Sequence, residues 1–363
     1  MGPAVSAPVT TVAPGGRRVL RLGRVTLLVR PRTIVVTVVL AIVALGAGAV
    51  AMTVGSLPIP LGAVPGAVLG VADDPMTVRA VQGVRLPRVL AAIGAGAALG
   101  VSGSIFQSLA RNALGSPDVI GFTTGAATGA LVQIVLFGAQ PTQVALGTVV
   151  GGAVTVVIVM LLARRGGGIA GRQLILVGIG VGAIAAALNG LLLVRGTIDA
   201  SSQANLWLSG SLDARQWSHA LPVLAGVAVV IPIVLVLSRR ASLMELGDDI
   251  AAQLGVRVER TRIVLVGCAV VLAALATAAV GPIAFVALAA PQLVRRLLRT
   301  DAPPVIGAAA MGAALLVVAD LVTQLLPVTF TVPVGRMTGV VGGLYLLWLL
   351  VPSRGSVEGK GWR

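Results

Sequence analysis

The amino-acid sequence predicts an all-α membrane protein with about ten transmembrane helices. Of its 363 residues 57% are hydrophobic, 11% charged and 3% aromatic, far from the balance of a water-soluble domain. Its apolar stretches run to about 20 residues, the length at which a helix crosses roughly 30 Å of hydrocarbon. When the spans are laid out in alternation, 21 of the 27 lysines and arginines fall on one side.

Taken in order, the candidate spans lie near 33–55, 87–108, 119–138, 143–163, 172–194, 217–237, 262–280, 282–298, 304–326 and 334–352. Residues 1–32 are basic, rich in Pro, Gly, Ala and Val, and show no period, so they read as a disordered cytoplasmic tail. Arginines ahead of the first apolar run imitate a signal peptide, but the run is too long and lacks a small-x-small cleavage site. It is read as a retained first helix. Residues 33–352 make one membrane domain and 353–363 a cytoplasmic C-terminal tail. With both termini in the cytoplasm, Arg164, Arg165, Arg239, Arg240, Arg295, Arg296 and Arg299 lie inside, leaving Arg79, Arg85, Arg88, Arg195, Arg215 and Arg336 outside.

Several function classes are excluded. The net charge of +15 sits in short clusters between apolar runs, which topology and anionic lipid explain; nucleic-acid binding is not expected. One cysteine, Cys268, and one histidine, His219, cannot supply a disulfide framework or a zinc site. The only lysine is Lys360, no Gly-x-x-x-x-Gly-Lys-Ser/Thr sequence occurs, and no HExxH is present. No catalytic residue and no bound metal or cofactor is expected, and any ATP chemistry belongs to another subunit.

Glycines recur at helical spacing at Gly96 and Gly100, at Gly147 and Gly151, and at Gly335, Gly339 and Gly343. Close backbone approach is the main attraction between helices in lipid, so these read as packing faces. Between the sixth and seventh spans, Ala241 to Arg262 reads as a short amphipathic helix. Ser242 and Glu245 form a capping box, Leu243, Leu246, Ile250 and Leu254 an apolar stripe, Asp248 and Asp249 face elsewhere, and Gly255 stops the helix. Such a helix either lies on its own membrane domain or docks a cytoplasmic partner. Arg85 and Arg88 flank Pro87 at the outer entrance of the second span. They could snorkel to lipid phosphate, which pattern alone favours, or meet carboxylates of an external protein or an anionic substrate. Asn112, Gly115 and Pro117 interrupt helix after the second span, as a plain turn or an inner gate. Asp320 is the acid placed well inside a span. Without a basic partner there, it suits a buried polar contact better than a proton relay.

Ordered motifs then identify a likeness. Arg85-Leu-Pro-Arg88, Gly100-Val-Ser-Gly-Ser-Ile-Phe-Gln107, Arg111-Asn-Ala-Leu-Gly-Ser-Pro-Asp-Val-Ile-Gly121, Trp207-Leu-Ser-Gly-Ser211, Leu243-Met-Glu-Leu-Gly-Asp-Asp249, Leu254-Gly-Val256, Gly281-Pro-Ile-Ala-Phe285 and Leu344-Tyr-Leu346 together resemble the FecCD family of ABC permeases. Within that family the chain is most like subunits of the ferric enterobactin type. The resemblance implies a type II (BtuC-like) importer permease in the bacterial inner membrane. Its partners would be a second FecCD-type permease in a heterodimer, two copies of an ABC ATPase that use ATP and Mg, and a siderophore-binding lipoprotein or periplasmic protein. The cargo would be a ferric siderophore, with haem or cobalamin as alternatives. An ion-coupled secondary transporter using Asp320 is the rival from another class.

Carried over by motif position, Arg85 and Arg88 would dock the binding protein and Asn112, Ala113 and Leu114 would form the cytoplasmic gate. Leu243, Met244, Glu245, Leu246, Gly247, Asp248, Ile250, Leu254 and Gly255, within 241–256, would couple to the ATPase. Three positions depart from the family. Ala113 replaces a common proline, Gln292 a common histidine, and Gln324 the arginine of cobalamin permeases, which disfavours cobalamin.

Overall fold

The computed structural model describes residues 11–13, 17–22, 25–29, 31–165, 168–169, 171–299, 305–326 and 332–350. Each of the ten predicted windows holds a helix. In chain order these are α1 (Pro31–Ala51), α4 (Leu86–Ala110), α5 (Phe122–Leu131, extended by a π turn Val132–Leu136), α6 (Pro141–Leu162), α7 (Gly171–Arg195), α9 (Trp217–Glu245), α11 (Val258–Val280), α12 (Val286–Leu298), α13 (Val305–Leu325) and α14 (Val334–Leu350). Four shorter helices complete the set: α2 (Val64–Leu69), α3 (Pro75–Ala80), α8 (Ile198–Leu208) and α10 (Asp248–Gln253).

Among the described residues seven helical segments are long and apolar enough to span a bilayer, whereas α5, α12 and α14 are shorter. The shortening has local causes. The chain leaves α4 through Arg111 in the left-handed region and runs as turns to Gly121 before α5 begins, and residues 281–285 stay non-helical ahead of α12. Non-helical backbone inside a membrane domain is tolerated only where protein or a cavity surrounds it. Here Gly281 lies against the Trp207 carbonyl and Gly210, and Gly121 against Gly178 and Gly182.

The second span begins earlier than its apolar run. Asp74 caps α3 by accepting from the Met76 and Thr77 amides at 3.0 Å each, Pro75 takes the first helical position, and a π turn at Val81–Arg85 carries the helix on into α4. The Thr77 hydroxyl and these amides hold the Asp74 carboxyl below its ordinary range.

Among the described residues the only strands are short. Of the expected tail 1–32, the structure describes β1 (Thr11–Ala13), β2 (Arg17–Leu22) and β3 (Val25–Val29), paired antiparallel with Leu22 opposite Val25, while Pro31 and Arg32 already belong to α1; the remainder lies outside the described residues, as does 353–363. The sequence reading expected no regular element there. Composition averaged over the whole tail hid two Val- and Leu-rich runs on either side of Gly23, a strand-turn-strand pattern. A second small pair, β4 (Arg164–Arg165) and β5 (Gly168–Ile169), joins α6 to α7.

The core is organised around α4, which is buried along nearly its whole length between α9, α11, α12 and α13. Its contact with α13 is backbone on backbone. A Cβ placed on Gly96 or Gly100 would overlap the carbonyl oxygen of Gly312 or Ala308, and one on Gly312 would overlap that of Gly96. Polar side chains also tie α4 to its neighbours. The Ser102 hydroxyl donates to the Ala269 carbonyl at 2.8 Å, and the Gln107 amide donates to the Leu288 carbonyl at 3.0 Å. Gly147 and Gly151 likewise pack against Gly129, but Gly339 and Gly343 face open space, so the predicted packing face on α14 is confined to Gly335. Large apolar side chains on α1, α6, α7 and α14 are exposed, as suits surfaces that meet lipid or other membrane helices.

Gly100→Val and Gly312→Val are therefore each expected to destabilise the detergent-solubilised protein by about 1–3 kcal/mol or more through overpacking. Gly339→Ala should leave the thermal melt where it is, and equal melts for all three would contradict this packing.

Candidate functional site

Helix α9 continues to Glu245, because Leu243, Met244 and Glu245 are good helix formers, and the chain breaks only at Leu246 and Gly247. Gly247 has φ 132° and ψ 146°, a conformation suited to glycine, and α10 follows at once, ended by Gly255 at φ 82°. The expected capping box at Ser242 does not form: Ser242 and Glu245 belong to the last turn of the sixth span, and the separate helix is Asp248–Gln253. The expected stripe is also divided. Met244, Ala251 and Val256 are buried against Leu109, Leu243 and Val258, while Leu246, Ile250 and Leu254 are 63%, 48% and 58% exposed. This element therefore does not rest on its own membrane domain through the predicted stripe; three apolar side chains form an uncovered ledge.

Asp248 is half-exposed and paired within the chain. One carboxylate oxygen accepts from Arg111 at 2.5 Å and the other from Arg262 at 2.7 Å, and the Arg111 Nε donates to the Met244 carbonyl at 3.0 Å. Arg111 is the left-handed cap of α4, with φ 47°. Beyond it, Asn112 Oδ1 accepts from the Leu114 amide at 2.9 Å, and the Ala113 carbonyl accepts from buried Gln292 at 2.6 Å. The Tyr345 hydroxyl lies 3.4 Å from Gln292 Oε1. Leu114 itself is exposed. The turn at 112–114 and the α10 element are thus neighbours, joined through Arg111. Arg111 and Arg262 were not singled out as site residues from sequence: Arg111 meets its partner 137 residues along the chain, and for Arg262, only 14 residues from Asp248, the break at Gly247 that turns the two together was not anticipated.

The opposite end holds a second charged cluster. Arg88 grips Asp320 with two donors, at 3.0 and 2.8 Å, and reaches Asp213 at 2.7 Å; Gln324 adds a donor to Asp320 at 2.8 Å. The Asp320 side chain is 3% exposed and that of Asp213 43%. Asp320 is therefore not the unpartnered acid the sequence reading took it for. Its basic partner approaches from the first turn of another helix. Arg85 donates to the Met52 and Leu57 carbonyls at 2.6 and 2.5 Å, closing the end of α1. Both arginines are thus engaged within the chain, whereas Arg79, Arg195 and Arg336, which the sequence places on the same side, are exposed. Arg85, Arg88, Asp213, Ser56, Thr323 and Gln324 line a cavity of about 410 Å³.

A further acid, Asp118, was read only as part of a turn. It accepts from the Thr123 hydroxyl and borders a cavity of about 240 Å³ shared with Asn205, Ser209, Pro282 and Arg336. Among the described residues no His, Cys, Asp and Glu group has the makings of a metal site.

A model of the FecCD transport family matches residues 33–352. The chain is 46% identical over 285 residues to the ferric enterobactin transport system permease protein FepG of Escherichia coli, covering 78% of this chain and 86% of that protein. It is 35% identical to the Fe(3+)-citrate import system permease protein YfmE of Bacillus subtilis, covering 74% and 81%. A solved structure described as an inward-facing metal-chelate type ABC transporter superposes with a TM-score of 0.77 at 26% identity, over 87% of this chain and 99% of that one.

Removing Asp320 leaves the Arg88 guanidinium without its buried partner. Asp320→Ala is expected to cost about 3–5 kcal/mol. Asp213→Asn, at an exposed pair, should cost under about 1 kcal/mol. Thermal melts of the purified variants check the ranking, and equal losses would contradict it.

Proposed function

The chain belongs to the FecCD transport family and is a multi-pass permease subunit of an ABC importer; from that premise we propose that it carries ferric siderophore of the enterobactin type through a path shared with a second FecCD-type permease. The cargo assignment rests on the likeness to FepG. The coupling assignment rests on one observation, the uncovered apolar ledge of Leu246, Ile250 and Leu254 beside the turn at 112–114.

In this reading the end bearing Arg111, Arg262 and Arg295 faces the cytoplasm, as do both termini, and two ABC ATPase subunits seat on the α10 ledge. ATP is bound with Mg and hydrolysed there, since this chain has no phosphate-binding loop. A siderophore-binding protein delivers cargo at the opposite end. Arg85 is committed to the end of α1, so docking on the predicted pair falls mainly to Arg88, whose contact with exposed Asp213 can exchange for a partner's carboxylate while the buried Asp320 contact stays. Nucleotide-driven displacement of α10 tilts the spans and shifts the gate turn, exposing the path to each side alternately. No bond in the cargo is broken. The bidentate Arg88–Asp320 contact suits a structural lock, so the proton-coupled reading gains nothing from Asp320.

Uptake of radiolabelled iron-enterobactin should stop when the Walker lysine of the copurifying ATPase is mutated and persist when the proton gradient is collapsed. Uptake that follows the gradient contradicts the proposal. Leu246→Asp with Ile250→Asp should leave membrane insertion intact while separating ATP hydrolysis from uptake, and coupled uptake in that variant would rule out the ledge.

A further inference from the structure

Asp248 lies in the segment that motif position assigns to ATPase contact, yet both of its carboxylate oxygens are occupied by arginines of this chain. Its neighbour Asp249 is exposed and makes no ion pair among the described residues. Arg262, in the first turns of α11, is nearly buried and anchors one oxygen. Arg111 takes the other oxygen and also holds the Met244 carbonyl, so one guanidinium spans the Gly247 break between α9 and α10. The same Arg111 is the residue from which the 112–114 turn departs. On its far side that turn is held by Gln292 of α12 through the Ala113 carbonyl.

We infer that Asp248 is a positioning residue that couples α10 to the gate: acting through Arg111, it passes displacement of α10 to the turn at Asn112, Ala113 and Leu114, which hangs between this tether and the Gln292 tether. The inference rests on the reading that an ATPase moves α10. Its physical basis is the contrast between connection and strength. The Arg111 and Asp248 side chains are 43% and 44% exposed, so water and salt screen their pair and it adds little to the stability of the resting fold. It is nevertheless a direct ionic link, among the described residues, between α10 and the residue that opens the gate turn. Such a contact costs little to break and can be remade in a second geometry, which a two-position element requires. Asp249, one residue on and without these partners, serves as the internal control.

The test uses the full transporter, reconstituted with its copurified ATPase and binding protein in proteoliposomes. Iron-enterobactin uptake per ATP hydrolysed is read alongside the nucleotide-induced change of a spin label at Leu114→Cys in a Cys268→Ala background. Asp248→Asn should keep ATPase binding and hydrolysis, keep its melting temperature near that of wild type, and lose uptake per ATP by about tenfold, within the range of ordinary coupling energies. The label at position 114 should stop responding to nucleotide. Asp248→Glu should restore much of both, Arg111→Gln should reproduce the loss with the Arg262 pair intact, and Asp249→Asn should behave as wild type. Wild-type uptake per ATP in both Asp248→Asn and Arg111→Gln overturns the inference. Loss of ATPase binding in Asp248→Asn overturns it too, since the residue would then be a docking contact. A wild-type chain that engages no ATPase instead overturns the underlying reading, which the same preparation reports before any variant is made.

Discussion

The structure depends on close backbone contact between α4 and α13 at Gly96, Gly100 and Gly312. Lipid is as apolar as a leucine side chain, so no hydrophobic force drives one transmembrane helix against another; shape and van der Waals contact must do it. Glycine lets α4 sink into the centre of the bundle, where Ser102 and Gln107 find carbonyls on α11 and α12. A helix held on so many sides is a rod rather than a hinge. That rod carries Arg88 near one end and Arg111 at the other, about 35 Å apart at 1.5 Å per residue. Both charged clusters therefore hang on a single buried element.

The two clusters differ in how firmly they are closed. Asp320 is buried and receives two donors from Arg88 and one from Gln324, which makes the contact expensive to open. Asp213 and Asp248 are each more than two-fifths exposed, and water can replace their partners at small cost. Permanent and exchangeable contacts are thus sorted by burial, with the exchangeable ones at the two ends of α4 where the proposed function places the other subunits. The apolar ledge on α10 lies beside the exchangeable contact at its own end, so a partner that covers the ledge also reaches the link to the gate turn.

The ten helical windows were legible because hydropathy over about 20 residues is a direct readout of the bilayer. The early start of the second span was missed because Asp74 and Pro75 signal a cap outside the apolar run, and the run was what had been sought. Ser242 was misread because its capping pattern lies inside a helix that local propensity already continues; the true break depends on Gly247 alone. Arg85 and Arg88 stood out by violating the charge rule, but that rule says which side of the membrane a residue occupies, not where its side chain turns. Asp213, Asp248 and Asp320 meet arginines 125, 137 and 232 residues away, separations at which a single sequence carries no pairing signal. The proposed gate turn at 112–114 and the proposed coupling segment rest on motif position in the family; the link between them through Arg111 shows only in the folded chain.

The central claim is that this subunit is a pore whose motor seats on α10. Cryo-electron microscopy of the assembled complex, with and without trapped nucleotide, tests it most directly. The account predicts that Leu246, Ile250 and Leu254 are covered by the ATPase in both states and that α10 and the 112–114 turn move together between them. A complex in which those three side chains face lipid or solvent, with the ATPase seated elsewhere, would contradict it.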